Sequence, residues 1–166
     1  IIYITCQDNC QNQPNIMRLL KDERHKVYHV SNIGKLEKIK KIIEIFKQEK
    51  FSIAFFYTTP WDVSAVVAFN ELAGKCIRYQ INLTDHAFWL GKNTFDYCLE
   101  FRPYGAAVSK TYRKINPNQL IYMPYYPVIQ NNATFKGFPF STQGKKIVFS
   151  GGSLTKTIDE KKTYYR

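Results

Sequence analysis

Negative charge is scarce in this chain: 13 acidic side chains face 24 lysines and arginines across 166 residues, a formal net charge of +11. A partner carrying anionic groups, whether phosphate, acidic lipid headgroup, acidic glycan or nucleic acid, is therefore favoured over a neutral one. Long hydrophobic runs are also missing. The longest, such as Ile53 to Tyr57, fall far short of the roughly 20 residues a membrane span needs. The basic, apolar and small-residue succession of a secretory leader does not open the chain, so the expected location is the cytoplasm. Cysteine is sparse: Cys6 and Cys10 stand four apart, and Cys76 and Cys98 lie alone in apolar runs. With His25, His29 and His86 in no matching spacing, no zinc site is expected, and the thiols read as reduced, buried and inert. Asn82-Leu83-Thr84 and Asn132-Ala133-Thr134 match the N-glycosylation pattern and, with no leader expected, read as chance matches. Internal repeats and low-complexity tracts are absent.

What is present is core-forming material, with 45% apolar and 16% aromatic residues. That surface is ample to offset the entropy of ordering the chain, which excludes disorder as an overall description. The pattern alternates between strands and helices. Ile1 to Cys6 reads as a strand. Pro14 then opens a helix with Ile16, Met17, Leu19 and Leu20 on its apolar face, and Lys26 to Val30 reads as a second strand. Lys35 to Lys50 is the clearest helix, with Leu36, Ile39, Ile42, Ile43 and Phe46 at helical spacing and lysines and glutamates opposite. Phe51 to Tyr57 is almost continuously apolar, which predicts a strand buried on both faces of a parallel sheet. Asp62 is placed to cap a helix reaching Leu72, closed by Gly74. Strands are expected at Cys76 to Leu83 and Gln119 to Met123. Shorter extended pieces are expected at Phe95 to Phe101 and Ala106 to Val108, and Thr84 to Lys92 reads as a connection.

This alternation predicts an α/β, Rossmann-like fold, a mostly parallel sheet flanked by helices, over residues 1–128. Prolines at 117, 124, 127 and 139, with Asn131-Asn132 and Ser141-Thr142, mark a linker assigned to residues 129–144. Residues 145–166 then supply a strand, the turn Gly151-Gly152-Ser153 and the start of a helix, the opening of a truncated second domain.

Ligands of open parallel sheets bind beyond the carboxyl ends of the strands. That rule selects Thr58 to Asp62, Asn82 to Gly91 and Ser150 to Lys156. In the middle segment Asp85-His86 supplies a candidate general base with a carboxylate to hold its tautomer, and Phe88 and Trp89 add stacking surface. The same residues also read as a polar turn with a surface histidine. In the last segment the backbone N–H groups of Gly151 and Gly152, with Ser153 beside them, can face an anion, and Lys156 could set a positive charge against a diphosphate. A plain strand-to-helix turn with a solvated lysine is the alternative.

The run Ile81-Asn82-Leu83-Thr84-Asp85-His86-Ala87-Phe88-Trp89-Leu90-Gly91, followed by Asp96, Arg102 and Ser109, resembles a motif of bacterial GT-B-type glycosyltransferases. Gly144 to Lys156 resembles the start of their donor domain, and the layout is distantly similar to protein O-linked N-acetylglucosamine transferases. The similarity spans roughly Phe51 to Asp159. It implies two Rossmann-like domains with the active site between them, residues 1–128 being the acceptor side. It implies a nucleotide-sugar donor as substrate, no further cofactor and no obligatory metal. His86 and Asp85 become the catalytic candidates. Gly151, Gly152, Ser153 and Lys156 become the donor contacts, and Thr59, Trp61, Asp62, Asn82 and Arg102 the acceptor-side residues. The acceptor would be a glycan, lipid or protein, with peripheral contact at an anionic inner membrane face and no nucleic acid. One departure is the absence of a glycine-rich loop after the first strand, where Gln7-Asp8-Asn9-Cys10-Gln11 stands instead. Most of a donor domain is also missing, so the chain by itself is expected to be inactive. A basic module for nucleic acid or anionic membrane, or a sugar- or nucleotide-binding α/β protein without catalysis, are the competing readings.

Overall fold

The computed structural model describes residues 1–6, 18, 20, 25–57, 62–82, 84–125 and 134–147. The candidates Thr59, Trp61, Gly151, Gly152, Ser153 and Lys156 lie outside these residues, as do Ile16, Met17 and Leu19 of the expected first helix. The chain divides into two compact units, Ile1–Tyr126 and Pro127–Arg166. In the second, Phe138 lies against Phe135 and Phe140, with ring centroids 5.1 and 5.5 Å away.

The first unit is α/β, built on parallel strands flanked by helices and compatible with a Rossmann-like fold. Strand β1 (Ile2–Thr5) pairs in parallel with β2 (Lys26–His29), Ile2 opposite Lys26 and Thr5 opposite His29. A four-stranded sheet follows in the order β3 (Ile53–Phe56), β4 (Ile77–Ile81), β5 (Tyr97–Glu100) and β6 (Leu120–Tyr122), every pair parallel. Parallel neighbours need crossovers. Helix α1 (Lys35–Gln48) joins β2 to β3, α2 (Val63–Asn70) joins β3 to β4, and α3 (Pro103–Thr111) joins β5 to β6. The β4-to-β5 connection has no helix among its described residues.

Local chemistry explains the element ends. Asp62 accepts from the Ala65 N–H at 3.1 Å, capping α2, and Gly74 takes φ 69° after it, where a side chain would be strained. On α1, Ile42 and Ile45 are buried with Val30 and Ala68, whereas Leu36 is exposed. Phe46 packs against this cluster and against the larger one of Phe56, Phe69, Leu72, Trp89, Phe95 and Cys98, so a single side chain serves both cores. Phe56 stacks on Phe69 with centroids 4.6 Å apart.

Two expectations are corrected. Ala106 to Val108 is not extended but lies inside α3, which Pro103 starts with its preset φ and the small residues Gly105-Ala106-Ala107 allow to sit close to the sheet. The Phe51 to Tyr57 strand is not buried on both faces: Phe56 is 8% exposed, whereas Phe55 is 62% and Tyr57 68% exposed. The strand order explains this. Right-handed crossovers moving steadily from β3 to β6 return on one side, leaving the opposite face without helices from these connections. On that face Phe55, Tyr79 and Tyr97 form a stacked ladder with centroids 5.2 and 5.4 Å apart. Among the described residues, no helix is long and apolar enough to cross a membrane.

Candidate functional site

The carboxyl ends of β4 and β5 carry a buried polar network. Glu100, the last residue of β5, is completely buried, as is Ser109 of α3, and Asn82 and Asp85 are nearly so. A carboxylate removed from water needs donors around it, and Glu100 has several. Asn82 Nδ2 donates to Oε2 at 2.8 Å, and the Ser109 hydroxyl and the Cys98 thiol donate to Oε1. Burial, then the Glu100 charge, pushes the Cys98 thiol up beyond the range where it ionises, so this cysteine is a buried thiol rather than a nucleophile. Asp85 pairs with Arg102 at 2.7 Å (Oδ2 to Nε) and accepts from Asn82 at 3.5 Å.

Arg113 ties this network to the connection that follows β4. Nη1 of its guanidinium donates to Ser109 Oγ at 2.9 Å, and Nη2 donates to the carbonyls of Thr84, Asp85 and Ala87 at 3.1, 2.7 and 2.8 Å. Its guanidinium also lies 4.7 Å from the centroid of the Trp89 ring, a cation–π contact. Burial lowers the Arg113 pKa, yet an arginine stays charged at neutral pH. The approach of α3 depends on Gly105, where an added Cβ would lie 2.5 Å from Asp85 Oδ1 and 2.7 Å from Glu100 Oε2.

Between the connection and α3 runs a groove of about 630 Å³, within the size range of small-molecule sites. The connection contributes His86, Phe88, Trp89 and Lys92, α3 contributes Tyr104 and Val108, and Tyr112, which caps it, is followed by Arg113 and Lys114. Positions 104, 108 and 112 recur every four residues and so share one helix face. Gly91, at φ 80°, makes the turn before Lys92. A Cβ there would meet Val66 at 2.8 Å, and the Thr94 hydroxyl donates to the Gly91 carbonyl at 2.7 Å.

The site residues expected from the sequence separate into groups. His86 is exposed and lines the groove, while its neighbour Asp85 is buried and directed at Arg102 and Asn82. Asn82, Asp85, Arg102 and Ser109 are brought together with Glu100. Asp62 caps α2, and Asp96 pairs with Arg78 at 2.9 Å. Thr59, Trp61 and the donor-side residues lie outside the described residues. Sequence reasoning missed Glu100, Gly105, Arg113, Tyr104, Tyr112, Lys92 and Lys114. A charge inside the otherwise apolar Tyr97-Cys98-Leu99-Glu100-Phe101 run was the available signal for Glu100, since a carboxylate in a buried strand demands nearby donors.

The chain matches no protein-family model, no curated protein and no solved structure.

Proposed function

We propose that Ile1–Tyr126 is the acceptor-side domain of a GT-B-type, metal-independent glycosyltransferase, with the opening of a nucleotide-sugar-binding domain beyond it. The observation that carries this reading is His86, exposed at a groove beside a parallel sheet, on a connection held in shape by Arg113 and the buried Asp85 and Glu100 carboxylates. In this role Asp85, Asn82 and Arg102 are positioning residues. The imidazole of His86 takes the proton of an acceptor hydroxyl as that oxygen bonds the anomeric carbon. The bond from that carbon to the diphosphate oxygen breaks, and the diphosphate leaves with the electron pair. Peripheral residence at an anionic membrane suits the net charge of +11.

The test is transfer from a panel of nucleotide sugars, assayed in a chain carrying a complete donor-binding unit. His86→Ala should lower turnover by about 100-fold or more with an unchanged melting temperature. Activity surviving the substitution removes His86 from the chemistry. The exposed lysines of α1 at 35, 40, 41 and 47 favour a second reading, a module for nucleic acid or anionic membrane. Its signature is binding to arbitrary oligonucleotides or acidic vesicles, lost steeply with salt, with no transfer from any donor.

A further inference from the structure

We propose that the groove between α3 and the β4–β5 connection takes an acceptor saccharide bearing a negatively charged group, which Lys92 and Lys114 hold beside the exposed aromatic rings. This rests on reading the groove as an acceptor site and adds the chemical class of what enters it.

Charge is the first argument. His86, Lys92, Arg113 and Lys114 line the groove, and among the described residues no aspartate or glutamate does. The Asp85 and Glu100 carboxylates are buried and already held, Asp85 by Arg102 and Asn82, Glu100 by Asn82 and Ser109. Arg113 is occupied by three backbone carbonyls and Ser109. Lys92 and Lys114 are exposed and make no ion pair among the described residues. A groove whose cations face no fixed anions favours an anionic ligand over a neutral one.

Backbone conformation is the second. Lys114 stands just beyond α3 with φ 56°, the left-handed region where glycine or asparagine usually ends a helix. A lysine held there, at the groove, is local strain that folding alone would relieve with a glycine, and such strain concentrates at functional sites. Shape is the third. Tyr104 and Tyr112 lie about 12 Å apart along the helix by its rise, the length of a short oligosaccharide. With Phe88 they expose aromatic faces suited to the hydrocarbon face of a pyranose.

The experiment is ligand-observed NMR on the chain with glucose, glucuronate, glucose 6-phosphate and inorganic phosphate at low ionic strength. Both charged sugars should bind about three- to tenfold more tightly than glucose. Raising salt to about 0.5 M, where screening acts within a few ångströms, should erase that preference. The tighter of the two charged sugars identifies the anion as carboxylate or phosphate. Lys92→Gln and Lys114→Gly should each reduce the preference, and Lys114→Gly should do so with an equal or higher melting temperature, because the strained backbone is relieved. Glucose binding as tightly as the charged sugars overturns this inference and leaves the acceptor reading standing. Inorganic phosphate binding as tightly as glucose 6-phosphate overturns it too, since the sugar then contributes nothing. Binding of none of the sugars removes both the inference and the acceptor reading.

Discussion

Replacing Gly105 by alanine sets two effects of opposite sign against each other. In an open helix interior the change stabilises by about 1 kcal/mol, because alanine is the better helix former. Here the new methyl would stand 2.5 Å from Asp85 Oδ1, 2.9 Å from Asp85 Cγ and 2.7 Å from Glu100 Oε2. Neither carboxylate is free to retreat. Moving Asp85 stretches the 2.7 Å contact with Arg102, and moving Glu100 stretches the 2.8 Å bond from Asn82. Overpacking costs about 1–3 kcal/mol, and leaving a buried acceptor poorly paired adds about 1–3 kcal/mol. The expected net effect is a loss of about 1–5 kcal/mol, read as a lower urea midpoint at unchanged slope. In an Asp85→Ala background two of the three crowded atoms are gone, so the same change should cost at least about 1 kcal/mol less. Gly105→Ala raising stability by the helix-propensity amount would refute the close approach of α3 to the network.

Arg113→Met removes the donor to three backbone carbonyls and Ser109. It should cost about 2–3 kcal/mol and speed amide exchange across residues 84–92, and unchanged protection there would count against its tethering role. The Arg78 side chain, by hydrogen bonding, holds the Asp96 carboxyl below the usual carboxylate range. A depressed carboxyl contributes stability that is present above about pH 4 and lost as pH falls through the folded pKa. The stability gap between wild type and Asp96→Asn should therefore shrink from pH 7 to pH 3, and a gap independent of pH would contradict the pairing. Phe55→Thr on the exposed ladder should reduce binding of a hydrophobic dye at a cost of under about 1 kcal/mol. A loss of several kcal/mol would show that this face is covered in solution.

Much of the fold was legible because its signals are local. The 3.6-residue spacing on α1, the Asp62 cap of α2 and the apolar runs of β3, β4 and β5 follow from residues near one another in the chain. Ala106 to Val108 was misread for the same reason: its short apolar pattern suits either element, and the decision rests on Pro103 and on packing. In the candidate site, His86 and Asp85 stood out as neighbours in sequence. Their separation, one exposed at a groove and the other buried against Arg102, depends on residues from β5 and α3.

By itself the sequence determined the alternating order of elements, the basic balance and the placing of His86 on a strand-end connection. Those properties depend on composition and on spacings of a few residues. Tertiary structure decided which face of the β3–β6 sheet the helices cover and that Glu100 and Gly105 meet Asp85. It also decided that Lys92 and Lys114, 22 positions apart by their numbers, share a groove with Tyr104 and Tyr112. Such meetings are set by crossover handedness and by how closely small residues let a helix approach a sheet, quantities that exist only once distant segments pack together.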